Sequence, residues 1–377
     1  MRQNLYGMNT DRITNTLVEL CEIPSPSRCE RPVADYILSR INSLGLDTVE
    51  DNAGDDLNGD TGNIIVRVDG KSSSSLLLTA HMDTVMPVGG LPDRINVNIT
   101  DGVVHTDQNS ILGADDKAGI AIALEVLHHR VETSNDMHQL EIVFTVQEEI
   151  GARGAAYLDK DAISAEQGFV LDGDTPVGTV IVSAPHKLRY DLVARGVAAH
   201  AALEPEKGIN AIKAMSAVVT ELPCGKIDSN TVTNYGIVKG GNATNVIPDI
   251  VELIGELRGH DLDHVQHVQK QIEETAHRVL ESSGASAEIV WTELYPGYSV
   301  SLDELCIRYF VSACNKFNMQ VDYITTDGGG DANPLNGSGI TCVPFGLGMK
   351  AIHTNQENIR LADLHKAFHL LLECVTL

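Results

Sequence analysis

Leu78-Thr79-Ala80-His81-Met82-Asp83-Thr84-Val85 closes an apolar run of strand length that begins at Ser75, and the elements around this run decide the fold. Similar runs cover residues 63–68, 141–146 and 168–171, and a helix-like stretch, 117–128, lies between the runs at 75–79 and 141–146. Unbroken apolar runs suit strands covered on both faces. Strands separated by helices predict an α/β fold with a mostly parallel sheet flanked by helices. Upstream, apolar residues recur at helical spacing from Asp11 to about Leu44, broken at Ile23-Pro24-Ser25-Pro26-Ser27. A helix over 302–315, a strand over 341–345 and a final helix from about Leu361 resume the rhythm.

Between about 185 and 293 the pattern changes. A strand over 189–196 precedes a helix over 210–222, strands over 231–238 and 250–258, a long helix over 262–282 and a strand over 287–291. That is the βαββαβ order of the ferredoxin-like split unit. A smaller domain, 185–295, is therefore expected to interrupt a larger discontinuous one, 1–184 with 296–377. The length of 377 residues suits two cores.

With 43% hydrophobic and 21% charged residues, the composition is that of a soluble globular protein. Acidic residues outnumber basic ones 52 to 27, for a net charge of −25, which argues against a nucleic-acid partner because phosphates would be repelled. The opening Met1-Arg2-Gln3-Asn4-Leu5-Tyr6-Gly7-Met8 lacks a basic region followed by an apolar stretch. No run has the length of a membrane span, so the expectation is a cytoplasmic protein without a membrane partner. Cys21, Cys29, Cys224, Cys306, Cys314, Cys342 and Cys374 form no CxxC pair, and the odd count suits a reducing compartment. They read as buried small hydrophobes. The Lys71 to Ser75 segment, Lys followed by four serines, reads as a turn.

Divalent metals of hard to intermediate character need carboxylate and imidazole ligands, and in an α/β sheet such side chains belong at strand ends, where they emerge into the crevice. A period of two turns His81 and Asp83 the same way, which lets the Asp83 carboxylate accept from the ring nitrogen of His81 that does not bind metal. From these two residues alone, a satisfied structural pair reads equally well. In Gly113-Ala114-Asp115-Asp116-Lys117-Ala118-Gly119 a loop runs into a helix, and the aspartates are helix caps or ligands. Gln147-Glu148-Glu149-Ile150-Gly151 follows the 141–146 strand as a solvated turn, or as a pair in which one glutamate binds metal and the other takes protons from water. Val170-Leu171-Asp172-Gly173-Asp174 is an Asp-Gly turn or another strand-end carboxylate. His353, in Ala351-Ile352-His353-Thr354, would alone be an ordinary surface histidine.

In this order and context the five segments resemble, over nearly the whole chain, the family of co-catalytic zinc hydrolases that contains peptidase T, carboxypeptidase G and aminoacylase. The segments at Gly113 to Gly119 and at Glu148 to Ala155 look most like the peptidase T branch. The resemblance implies two divalent metal ions per subunit, zinc first, with manganese or cobalt also suited to such ligands. Asp115 would bridge them, His81 and Asp172 would complete one position, and Glu149 and His353 the other. Asp172 is preferred to Asp174 because it directly follows the apolar strand. Glu148 would be the general base, Asp83 would orient His81, and a cis peptide is expected after Asp115.

The inserted domain would be a lid and dimerisation domain. Gly196-Val197-Ala198-Ala199-His200-Ala201 resembles the lid motif, whose histidine reaches the substrate oxyanion from the partner subunit of a homodimer. Asn245, within Gly240 to Pro248, and Arg258, within Leu257 to Asp261, match the segments that bind the substrate carboxylate or carbonyl. The loop Gly328-Gly329-Gly330-Asp331-Ala332-Asn333 resembles a substrate-lining segment and lacks the spacing of a phosphate loop. The implied activity is hydrolysis of a terminal bond of small peptides by an aminopeptidase acting on tripeptides. An N-acyl-amino-acid amidohydrolase (deacylase) or a carboxypeptidase would use the same metals with a different pocket, and a free amino terminus on the preferred substrate separates the amidohydrolase from the aminopeptidase. A non-catalytic metal-binding protein would lack the base that Glu148 supplies. His128, His129 and the histidines from His260 to His267 read as surface residues.

Overall fold

A computed structural model describes residues 10–71, 75–86, 90, 94–133 and 137–376. The opening segment before Thr10 and the middle of the serine turn lie outside the described residues. The chain divides into two compact units. One runs to Ser183 and takes up Ser299–Thr326 and the chain from Gly330 on, and the other holds Ala184–Tyr298 and Asp327–Gly329.

The larger unit is built on a mixed sheet whose order is Thr48–Glu50, Ile64–Val68, Gln139–Thr145, Ser75–His81, Gln167–Gly173, Thr341–Gly346, Thr179–Ala184. Its four central strands, from Gln139–Thr145 to Thr341–Gly346, run parallel, and the first two strands pair antiparallel at one edge. The apolar runs mark these strands because both faces are covered: Leu76, Leu77, Leu78, Ile142, Val143, Phe144, Phe169 and Val170 are all buried. Since the central strands are parallel, the ends that carry His81, Gln147 to Glu149 and Asp172 lie on one edge of the sheet.

The helix Ala114–Thr133 is buried on nearly every side, packed on the sheet and against the helices Thr10–Cys21 and Leu361–Val375. Such a helix has no polar face, which is why His129 is buried instead of lying on the surface as expected. Asp115 and Asp116 stand outside helical geometry at its start, and the peptide between them is cis, as the resemblance implied. The Pro-Ser break at residues 23–27 turns the chain under the edge of the sheet, where Ser25 accepts from the Thr84 amide at 2.8 Å and Pro26 bridges to Thr84.

The smaller unit has the βαββαβ order. His186–Arg195, Ala211–Glu221, Thr231–Gly240, Ile250–Gly259, Leu262–Ser282 and Ser286–Tyr295 follow one another, with the short strand Gly225–Lys226 added at one edge. Burial alternates strictly along Ile250–Gly259, so that Val251, Leu253 and Leu257 pack under the two helices with Val218, Val268 and Ile272. Both helices start at side-chain caps, Asn210 accepting from Lys213 N at 3.0 Å and Asp261 from His264 N at 2.9 Å.

One feature was unannounced, and one expectation changes. A small three-stranded sheet of Val97–Thr100, Val103–Thr106 and Asn358–Arg360 had no clear alternation to announce it. Of the cysteines, Cys29 and Cys224 are exposed, because they lie on a turn and at a strand start outside either core, and the other five are buried. No described helix is long and apolar enough to cross a membrane.

Candidate metal centre

The edge of the sheet gathers residues from five distant segments. His81 Nε2 lies 3.1 Å from Asp115 Oδ1 and 3.7 Å from Asp172 Oδ1. His353 Nε2 lies 3.1 Å from Asp115 Oδ2 and 3.0 Å from Glu149 Oε2. Asp115 therefore presents one oxygen to a histidine–aspartate pair and the other to a histidine–glutamate pair. Ligand atoms of His81, Asp115 and Glu149 lie within 4.8 Å of one another, and so do those of His81, Asp116 and Asp172. Of the two neighbouring aspartates, Asp116 is the poorer ligand. Its Oδ2 accepts from the His81 amide at 3.1 Å and its Oδ1 from the Gly119 amide at 3.1 Å, so both oxygens hold backbone. Glu149 Oε1 is buried without a hydrogen-bond partner, an expense that a cation would remove. Nitrogen and oxygen donors in two sets sharing one carboxylate fit a pair of divalent ions.

The charges agree. Burial opposes protonation of His81, yet Asp172 and Asp115 hold its pKa well above the usual imidazole range. Hydrogen bonds to the Asp115 and Glu149 carboxylates push His353 up to about 10. Burial would raise Asp115, but the two imidazoles hold it below the ordinary carboxylate range. Both imidazoles thus face carboxylate charge that a metal's positive charge would offset in the same place. Asp172 and Glu148 are pushed well up, mainly by burial.

Behind the ligands stands a second set of carboxylates. Asp83, fully buried, accepts from the Glu148 amide at 2.9 Å, the Glu149 amide at 3.1 Å and the Ser27 hydroxyl at 2.6 Å. The His81 ring donates instead to the Asp83 main-chain carbonyl, at 2.9 Å, with the carboxylate farther away at 3.5 Å. Asp83 thus meets the His81 ring chiefly through its main-chain carbonyl, while its carboxylate also holds three donors from the neighbouring turns. Glu30 accepts from the Gln147 amide at 3.1 Å, and burial followed by the nearby Asp83 pushes it up to about 7. Glu357 accepts from the amides of Gly113 and Asp115 at 2.7 and 3.0 Å. Burial pushes it, too, up to about 7. Asp331 accepts from the Thr145 hydroxyl, and its neighbour Gly330 has so little space that an added Cβ would lie 3.0 Å from Glu148 Oε1. Lys117 is fully buried, with Nζ donating to Ile23 O at 2.6 Å. Asp116, Glu357, Asp331, Lys117 and Glu30 escaped sequence reasoning. Asp116, Lys117 and Asp331 lie inside the Gly113–Gly119 and Gly328–Asn333 motifs, Glu357 lies four residues after His353, and Glu30 carries no local signal.

The remaining sequence-derived residues belong to the smaller unit. His200 is exposed, and its Nδ1 accepts from the amides of Ala202 and Leu203, both at 3.2 Å. Those bonds leave Nε2 as the ring atom able to donate to a ligand. The ladder of Ala199–His200 with Val246–Ile247 sets His200 beside exposed Asn245, whose carbonyl accepts from Ala201 N at 3.0 Å. Arg258 is not with them. It lies near the far end of Ile250–Gly259, with Nε 3.0 Å from Glu256 Oε1 and Nη1 3.4 Å from Asp327 O.

Residues 77–376 match the model of the family described as Peptidase family M20/M25/M40. A Bacillus subtilis protein described as uncharacterized, YqjE, is 32% identical over 369 residues, covering 98% of each chain. Among solved structures, the chain is similar to an aminopeptidase PepT from Bacillus cereus, with TM-score 0.87 and 30% identity over 98% of both chains. It is also similar to a tripeptidase from Staphylococcus aureus, with TM-score 0.90 and 30% identity over the same shares.

Proposed function

The chain belongs to peptidase family M20/M25/M40, and from that membership we propose that it is a two-metal aminopeptidase that removes the N-terminal residue of small peptides, tripeptides foremost. The observation that carries the reading is Asp115, with one oxygen 3.1 Å from His81 and the other 3.1 Å from His353. Similarity to an aminopeptidase and a tripeptidase, each along 98% of the chain, supports the choice of substrate.

His81, Asp115 and Asp172 would hold one ion and Asp115, Glu149 and His353 the other, with zinc suited to these donors and manganese or cobalt also accepted. When bound, such ions lower the pKa of a water toward neutrality and draw electron density from an amide carbonyl. Glu148 takes the proton of the attacking water and delivers it to the leaving amine. Its raised pKa, caused chiefly by burial, suits a base that must also give the proton back. Asp83 holds Glu148 in place through its amide. His200, with its Nε2 proton, donates to the oxyanion, and Asn245 and Arg258 bind the peptide's carboxylate or carbonyl.

A homodimer fits the smaller unit. Beyond the short pairing with Gly225–Lys226, the outer edge of Thr231–Gly240 has no strand partner among the described residues, and Ile237 and Val238 are 45% and 59% exposed there. Asn245 precedes the start of the strand Ile250–Gly259 and Arg258 lies near its far end, the nine residues from Ile250 to Arg258 alone spanning about 26 Å. One peptide therefore meets both ends only when two subunits contribute, which favours His200 acting across the dimer.

The test is a substrate screen on protein stripped of metal and reloaded with zinc, manganese or cobalt. Tripeptides with free amino termini should be cleaved and their acylated forms spared. Glu148→Ala should keep its metal and lose about 10²–10⁴-fold in kcat. Preference for acylated substrates, or undiminished turnover by a fully loaded Glu148→Ala, overturns the reading.

A further inference from the structure

We propose that Glu357 is a positioning residue that seats the shared carboxylate of Asp115 between the two ligand sets, and that the loop carrying it couples this seat to the ligand His353. The inference rests on the two-metal reading above.

The loop from Lys350 to Asn358 is closed at its base by two backbone hydrogen bonds, Lys350 N to Asn358 O and Asn358 N to Lys350 O, both 3.0 Å. From this pinned loop two side chains enter the site. His353, with a left-handed backbone (φ 63°), places Nε2 against Asp115 Oδ2 and Glu149 Oε2. Glu357, only 1% exposed, reaches the same aspartate from behind. Its Oε1 accepts from the Asp115 amide at 3.0 Å and its Oε2 from the Gly113 amide at 2.7 Å.

The two bonds leave little freedom. Gly113 has φ +71°, and a Cβ there would lie 3.0 Å from Thr84 Cγ2 and 3.2 Å from Lys117 Nζ, so a side chain in the turn that aims Asp115 would be both strained and crowded. Asp115 itself departs from helical geometry, at φ −81° and ψ 101°, so no helical hydrogen-bond ladder holds it. A carboxylate is the side chain that fits, because both of its oxygens accept and both partners donate. Glutamine would turn one oxygen into an amide group facing an N–H. Partners that orient metal ligands in this way generally contribute about 10–100-fold to metal affinity or activity.

The alternative is that Glu357 merely caps a buried helix start, which would change stability and leave the metal sites alone. Competition between the protein and a chromophoric chelator for zinc separates the two. In Glu357→Gln, affinity for at least one of the two ions should fall about 10–100-fold and kcat should fall more than KM changes. Glu357→Asp keeps the charge on a shorter stem. It should show the same loss in smaller measure, and it answers the question if the glutamine variant does not fold. Wild-type affinity for both ions in the folded variant overturns the proposal, even if it melts at a lower temperature. Failure of the functional reading looks different: wild-type protein would take up two zinc ions and cleave no peptide, with the Glu357 comparison still decisive.

Discussion

Replacing Asp83 by alanine should loosen the turn that carries Glu148 and Glu149. The carboxylate is fully buried and accepts from the Glu148 amide at 2.9 Å, the Glu149 amide at 3.1 Å and the Ser27 hydroxyl at 2.6 Å. The hydroxyl can rotate toward another acceptor, but the two amides cannot. Each buried donor left unpaired costs about 1–3 kcal/mol, so the variant should lose about 2–6 kcal/mol. Asp83→Asn keeps one acceptor and should lose about half as much. Because the turn carries both Glu148 and Glu149, a shift near 1 Å should also lower turnover by about 10²-fold. Urea unfolding followed by far-ultraviolet circular dichroism reads the first effect. Tryptophan fluorescence would not, since the one tryptophan, Trp291, lies in the smaller unit. Hydrogen exchange at the Glu148 and Glu149 amides locates the damage. A loss below about 1 kcal/mol, with those amides exchanging as in wild type, would refute the assigned role.

Metal uptake should depend on pH through His353, which Asp115 and Glu149 push up to about 10 in the metal-free protein. Its contribution to folding is then complete below about pH 6.5 and fades as pH rises through about 10, so the metal-free protein should weaken toward alkaline pH. A bound ion must displace that proton, so zinc affinity should rise about tenfold per pH unit below about pH 10, and equal affinities at pH near 6.5 and 8 would contradict this. Gly119→Ala would set a Cβ 2.2 Å from Leu171 O and 2.4 Å from Asp116 Oδ1, on the strand that delivers Asp172. It should cost about 1–3 kcal/mol or more and weaken zinc binding, and a wild-type melting temperature in the variant would show that the helix can retreat.

Much of this protein could be read from its residues in order. Period and turn chemistry are local properties. They marked the central strands, the βαββαβ order of the smaller unit and the final helix from Leu361, because an apolar run or a 3.6-residue stripe has few ways to bury itself. His81, Asp115, Glu148, Glu149, Asp172 and His353 stood out because each lies at a strand end or in a motif. The small sheet of Val97–Thr100, Val103–Thr106 and Asn358–Arg360 was invisible, its strands being short and joined from distant parts of the chain.

The resemblance singled out the candidate ligands, and only the tertiary structure decided which further carboxylates hold them in place. Asp115 and Asp116 are adjacent and alike in sequence, yet one faces two imidazoles and the other is tied to the His81 and Gly119 amides. Asp83 meets the neighbouring His81 ring through its main-chain carbonyl and holds the amides of Glu148 and Glu149 through its carboxylate. Glu30 and Glu357 hold turns far from them in the chain. A hydrogen bond between such distant groups depends on where the folded sheet brings two backbones together, and no local pattern of residues encodes that distance.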